Sequence, residues 1–153
     1  MQNKEIERKF LVDMNKSGIE LCDYPHLCIE QGYLNAHMPV VRVRKSNDEY
    51  YLTYKSGGVL AHDEYNLPLT KESYLNLVKK SDGKIITKKR YLIPYDKYTI
   101  ELDVFEGAYE GLIFAEVEFE SEEEANTFTP PSWFTEDVTY DRKYHNSYMA
   151  TDC

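Results

Sequence analysis

Apolar and polar positions alternate with a period of two along most of this chain. Ile6 to Val12, Val40 to Lys45, Tyr50 to Lys55, Ile85 to Pro94, Tyr98 to Val104 and Leu112 to Glu120 all show it. That is the signature of strands with two unlike faces. Gly57-Gly58 reads as a hairpin turn leading into Val59 to Leu69, and Ile29 to Leu34 is a weaker strand. Ser46-Asn47-Asp48 and Tyr95-Asp96-Lys97 supply two more turn signals. About eight strands are expected on this pattern.

Helical periodicity is scarcer. Thr70 to Lys80 carries Tyr74, Leu75 and Val78 at helical spacing, with Thr70 as N-cap and Asp82-Gly83 as the stop. Met14 to Cys22 is expected to hold a short helix, and Asp141 to Ala150 a C-terminal one. Ser121 before the acidic run Glu122 to Glu124 reads as a capped helix start. Strands joined by turns, with few and separate helices, indicate the α+β class. With no repeat, linker or low-complexity tract, one domain over residues 1–153 is expected.

The charged strand positions change the picture. Glu5, Glu7 and Lys9 share one parity, as do Arg42 with Arg44, Lys88 with Arg90, Glu101 with Asp103, and Glu116 with Glu118. Lys55 and Glu64 flank the Gly57-Gly58 turn. The opposite parity is largely apolar: Ile6, Val41, Val43, Ile100, Leu102, Val104, Ala115, Val117 and Phe119. A sheet with one wet face is the plain explanation. Two features weigh against it: pairs within a strand are of like sign, and acidic and basic strands alternate along the sequence. A closed barrel facing these strands inward would bring each pair its opposite. Its acids would hold hard divalent cations, and its Arg and Lys a polyphosphate.

Composition adds exclusions. A net charge of -9 argues against a broad nucleic-acid surface. Fourteen tyrosines suit half-buried strands, and they would also support a homodimer. Cys22, Cys28 and Cys153 show no metal-ligand spacing and read as reduced thiols. There is no leader-like n-region or h-region, and no apolar run of membrane-spanning length. A cytoplasmic protein with no membrane or nucleic-acid partner is expected.

Glu5-Ile6-Glu7-Arg8-Lys9-Phe10-Leu11-Val12 resembles the N-terminal signature of the CYTH, or triphosphate tunnel, family. The family includes class IV adenylate cyclases, thiamine triphosphatases and bacterial inorganic triphosphatases. Gln31-Gly32-Tyr33-Leu34, Val41-Arg42-Val43-Arg44, Leu52-Thr53-Tyr54-Lys55 and Lys88-Lys89-Arg90-Tyr91 match in order. So do Glu101-Leu102-Asp103-Val104-Phe105, Ala115-Glu116-Val117-Glu118-Phe119 and Asp137-Val138-Thr139. The resemblance implies a closed eight-stranded antiparallel β-barrel tunnel with helices packed outside, and Mg²⁺ or Mn²⁺ as cofactor. It implies metal ligands at Glu5, Glu7, Glu116 and Glu118, with Asp103, Glu101 and Glu64 as further candidates. It places phosphate contacts at Lys9, Arg42, Arg44, Lys55, Lys88 and Arg90. The candidates for the base are a carboxylate, or Lys88 with Tyr33 nearby, and Lys9 is a candidate catalytic cation.

The implied activity is metal-dependent hydrolysis of a small triphosphate. Inorganic tripolyphosphate comes first, with nucleoside or thiamine triphosphate as alternatives. Adenylate cyclase activity and non-catalytic polyphosphate binding are the rival readings. The sequence departs from the family pattern at Leu60, where an Arg is common, and at His62 and Asn66, where acids often stand. His26, His37 and His145 are expected on the surface, with His62 a candidate to face the tunnel. Trp133 beside Pro130-Pro131 is expected to be a packing residue.

Overall fold

In the computed structural model, which describes residues 4–58 and 60–151, the alternating segments form nine strands. They are β1 (Lys4–Val12), β2 (His26–Asn35), β3 (Val40–Ser46), β4 (Glu49–Gly57), β5 (Ala61–Pro68), β6 (Asp82–Tyr95), β7 (Tyr98–Glu106), β8 (Ile113–Phe119) and β9 (Phe134–Asp137). Val59 and Cys153, which enter the expectations above, lie outside the described residues.

Two tight hairpins are local products of sequence. Ser46 pairs with Glu49 across Asn47-Asp48, and Tyr95 pairs with Tyr98 across Asp96-Lys97. Asn47 and Asp96 take φ of 54° and 55°, a left-handed conformation that their short polar side chains tolerate.

The sheet runs β5-β4-β3-β2-β6-β7-β8-β1-β9, and an added β5–β1 pairing closes the first eight strands into an antiparallel barrel. Closure rests on Lys4↔Asp63, Glu5↔His62 and Ile6↔Ala61. The expected α+β barrel is thus the observed one, with an extra strand. β9 was not foreseen: Phe134-Thr135-Glu136-Asp137 is short and mostly polar. It forms because β1 runs past the end of β5 and leaves Phe10 to Val12 an open edge, which β9 takes.

Among the described residues three α-helices sit around the barrel: α1 (Lys71–Val78), α2 (Glu122–Thr127) and α3 (Asn146–Thr151). Thr70 and Ser121 cap the first two, accepting from Ser73 N and Glu124 N. Asp82 and Gly83 do not merely stop α1; they already belong to β6. The expected N-terminal and C-terminal helices break up. Met14–Lys16 and Leu21–Asp23 are single 3₁₀ turns, and a 3₁₀ turn at Arg142–Tyr144 precedes α3. Among the described residues no helix is long and apolar enough to cross a membrane.

There are two apolar cores, and neither fills the middle of the barrel. One lies outside it, where Ile6, Phe10, Ile100, Leu102, Ala115 and Val117 meet α2, Trp133 and Phe134. Trp133 is a packing residue, stacked perpendicular to Phe134 at 4.8 Å. The second closes one end of the bore, where Tyr33, Ile86, Phe105 and Phe114 meet Met149 and Ala150 of α3. Gly83 permits that closure: with φ of 71°, a Cβ there would come within 2.0 Å of the Ala150 carbonyl oxygen.

A polar staple holds the β1–β9 seam. Arg8 Nη2 donates to Asp137 Oδ2 at 2.8 Å, and Thr139 N donates to Asp137 Oδ1 at 2.9 Å. Burial pushes the Asp137 carboxyl up, but Thr139 and Arg8 more than offset this and lower it. A depressed carboxyl stabilises the fold above its unfolded pKa and loses that contribution as pH falls through the folded one. Because Asp137 is partly exposed, the effect is small, under ~1 kcal/mol. Asp137→Asn is therefore expected to lower Tm slightly at pH 7, with the gap to wild type closing below about pH 4 in thermal melts.

Candidate active site

Each of the strands β1 to β8 contributes its inward parity to one bore. β1 turns in Glu5, Glu7 and Lys9, while β8 turns in Glu116 and Glu118 opposite them, with Glu7↔Glu118 and Lys9↔Glu116 in register. β2 and β3 bring Gln31↔Arg44 and Tyr33↔Arg42. β4 and β5 bring Lys55↔Glu64 and Thr53↔Asn66, and β6 and β7 bring Arg90↔Asp103. The result is a cavity of about 340 Å³, within the range of small-molecule sites. Six carboxylates (Glu5, Glu7, Glu64, Glu101, Glu116, Glu118) and six cations (Lys9, Arg42, Arg44, Lys55, Lys88, Arg90) line it. A charge-balanced bore of this kind has no net surplus to offer a polyanion.

All the residues expected to face a common space do so, except Asp103. That side chain is fully buried beneath Lys88 and Arg90. Its Oδ1 accepts from Arg90 Nε at 2.7 Å, and its Oδ2 from Arg90 Nη2 at 2.9 Å and Lys88 Nζ at 2.7 Å. Against its burial, Arg90 and Lys88 hold the Asp103 carboxyl below its ordinary range.

Lys88 is the most deeply placed cation. Burial pushes its amine down, against Asp103, and Arg90 and Arg44 add to the fall, to about 7. Its Nζ also donates to Asn146 Oδ1 at 2.8 Å. Gln31 Nε2 donates to the same oxygen at 3.2 Å and to the Tyr33 hydroxyl at 3.0 Å. Lysine is only a donor, which settles the orientation of the Asn146 amide. Tyr33 and Lys88 are thus joined through Gln31 and Asn146. Arg44 Nε holds Gln31 Oε1 at 2.7 Å, and burial with Arg42 and Arg90 nearby pushes Arg44 down to about 10. Arg42 donates through Nη2 to Thr53 at 3.2 Å, while its buried Nε has no hydrogen-bond partner among the described residues.

The acids are not equivalent. Burial and the neighbouring Glu116 push Glu7 well above the usual carboxylate range. Glu116 is held well below it: burial raises it, but Lys9, Arg90 and Lys88 more than offset that. The Glu7–Glu116 pair shares a hydrogen bond, so Glu7 keeps the proton. Burial and other acids push Glu118 up to about 6. Two carboxylates forced to share a proton, and a buried Glu64 Oε2 with only a long 3.5 Å ion pair to Lys55 and no hydrogen-bond partner among the described residues, are hard oxygen donors with room for more positive charge. They fit a divalent cation.

Asn146, His145 and Gln31 are among the bore residues that escaped the sequence reading. Asn146 has no strand periodicity to place it. His145, expected at the surface, is half-buried and lines the bore. Its Nε2 donates to the Thr139 carbonyl at 2.9 Å, and burial lowers its pKa. Gln31 shares parity with Tyr33, which is the signal that would have found it. His62 does face the bore, whereas His26 and His37 are exposed as expected. Cys22 and Cys28 are free and exposed.

Fold and bore together define a closed β-barrel protein with a charge-paired tunnel. A family model of the CYTH domain matches residues 3–139, and the chain belongs to that family. An inorganic triphosphatase of Nitrosomonas europaea is 40% identical over 150 residues, covering 95% of this chain and 96% of the relative. An inorganic triphosphatase of Acetivibrio thermocellus is 37% identical over 153 residues, covering 96% and 93%. A crystal structure of an inorganic triphosphatase superposes with a TM-score of 0.70 at 35% identity, covering 97% of this chain and 95% of that one. A Pyrococcus horikoshii protein of 27% identity superposes with a TM-score of 0.61 over 80% of this chain and 83% of its own.

Proposed function

We propose that this chain hydrolyses a small triphosphate with the help of a divalent cation, Mg²⁺ or Mn²⁺, and that inorganic triphosphate is its preferred substrate. The observation that carries the reading is the balanced bore with its proton-sharing acids. A triphosphate entering it brings an excess of negative charge. The six cationic side chains are already matched by carboxylates, so added cations must supply the difference. The named activity of the relatives points the same way.

Glu7, Glu116 and Glu118 would hold a cation on the β1–β8 wall, and Glu5 and Glu64 on the β1–β5 wall. A bound divalent ion would neutralise phosphate oxygens and polarise the phosphorus they surround. Arg42 and Arg44 grip phosphate oxygens from β3. The orphaned Arg42 Nε leaves that guanidinium with an unused donor for an anion. Lys9, Lys55 and Arg90 add charge from the other walls. Asp103 acts as a positioning residue that fixes Lys88 and Arg90, not as a ligand. The Tyr33 hydroxyl oxygen accepts from Gln31, which leaves its proton free to donate to a phosphate oxygen. Lys88 Nζ, with a pKa of about 7, takes the proton of the attacking water.

A phosphate-release panel tests this. Inorganic triphosphate, ATP and thiamine triphosphate are offered with Mg²⁺, Mn²⁺ or Ca²⁺, with and without chelator. Phosphate release from inorganic triphosphate is expected, abolished by chelator and rising with pH through about 7 as Lys88 loses its proton. Any ATP turnover should yield ADP and phosphate. Cyclic AMP with pyrophosphate, or tight tripolyphosphate binding with no release under either Mg²⁺ or Mn²⁺, contradicts the reading.

A further inference from the structure

β5 is the wall of the bore on which an imidazole, a carboxylate and an amide alternate. His62, Glu64 and Asn66 point inward there. Asn66 is spent within the wall: its Nδ2 donates to Glu64 Oε1 at 3.1 Å, and its Oδ1 accepts from the Thr53 hydroxyl. His62 is buried, and its Nε2 stands 2.8 Å from Glu5 Oε1 across the seam that closes the barrel. Glu64 keeps Oε2 buried and without a hydrogen-bond partner among the described residues.

One ligand atom each from Glu5, His62 and Glu64 falls within a span of 4.8 Å. Around an octahedral ion with bonds of about 2.1 Å, neighbouring ligands lie ~3.0 Å apart and opposite ones ~4.2 Å. The Glu5–His62 separation is therefore already close to that of two neighbouring ligands. Small rotations of the Glu64 carboxylate cover the rest. Lys55 is the competitor for this space, at 3.3 Å from Glu5 Oε1 and 3.5 Å from Glu64 Oε2. Both contacts are long for charged hydrogen bonds, so its flexible stem can yield to an ion.

We propose that Glu5, His62 and Glu64 form a mixed nitrogen–oxygen site for a divalent first-row transition metal, Mn²⁺ through Zn²⁺, and that it discriminates against Mg²⁺ and Ca²⁺. This rests on the metal-dependent reading of the bore and deepens it by naming which ions its β1–β5 wall takes. Imidazole nitrogen is a poor ligand for the hard alkaline-earth ions and a good one along the transition series. A neutral His62 would bind through Nε2 and carry its remaining proton on Nδ1.

The test uses tag-free full-length protein with metal alone and no phosphate compound. Mn²⁺-loaded wild type is expected to show ¹⁴N coupling in pulsed EPR. In His62→Glu, which keeps an oxygen ligand, that coupling should vanish, and the Mn²⁺ over Mg²⁺ affinity ratio by calorimetry should fall ~10-fold. His62→Asn serves in its place if melting shows that His62→Glu does not fold. Absence of ¹⁴N coupling in wild type overturns the proposal. So does coupling that survives in the variant, which would assign the nitrogen to another histidine such as His145. Phosphate release is read separately, so hydrolysis without nitrogen coupling sinks this site and leaves the triphosphatase reading standing.

Discussion

Asp103→Ala is expected to be the most destabilising single change in the bore, costing about 3–5 kcal/mol and lowering Tm by roughly 10 °C. The carboxylate has no exposed surface, and it accepts three charged hydrogen bonds from Lys88 and Arg90. Removing it leaves Lys88 beside Arg90 and Arg44 without its carboxylate partner, and leaves Arg90 with only the longer contacts to Glu101 at 3.6 Å and Glu116 at 3.7 Å. Lys88, already pushed down by burial, would escape by losing its proton, but Arg90 cannot. Asp103→Asn keeps the shape and one acceptor, and should fall between wild type and the alanine variant. Thermal melts followed by circular dichroism decide it. A Tm for Asp103→Ala within about 2 °C of wild type would show that the triad contributes little.

The second large effect separates activity from stability. Glu7→Gln and Arg42→Ala are each expected to lower kcat/KM for inorganic triphosphate by ~10²–10³-fold, with Tm nearly unchanged. Glu7 is pushed up by burial and Glu116 until it holds a proton. Glutamine copies that protonated form in size and in its ability to donate, so the fold scarcely notices the change. What is lost is the ability to become an anion beside a cation. Arg42 sits among cations: it and Arg90 help to push Arg44 down to about 10. Removing Arg42 relieves repulsion and an unpartnered buried donor, so its loss should not lower Tm. That is the expected signature of a side chain kept for its ligand at some expense in stability. Full turnover in both variants would dismantle the assignment of roles.

The hairpins were legible because their cause is local. Asn47 and Asp96 tolerate the left-handed backbone that a two-residue turn demands, and the strands on either side alternate without interruption. The inward set was legible for the same reason: parity along a strand is a property of the strand alone. Glu5, Glu7, Lys9, Arg42, Arg44, Lys55, Glu64, Lys88, Arg90, Glu116 and Glu118 stand out as one charged set in the sequence, and all line one cavity. β9 was not legible, because its four residues pair only where β1 outruns β5. Nor were His145 and Asn146, which lie just before and at the start of α3, outside any strand, and reach the bore only because the C-terminal segment docks on its end.

By itself, then, the sequence determined which side chains share a strand face, where the chain turns, and the family pattern that ties those faces to a barrel. Only the tertiary structure decided which acid meets which base. Register across strands set Asp103 behind Lys88 and Arg90, left Glu7 and Glu116 to share a proton, and brought His62 to Glu5 across the closing seam. Parity repeats along one strand and needs no partner to define it. Charge pairing depends on residues tens of positions apart, whose encounter is fixed by closure of the whole barrel.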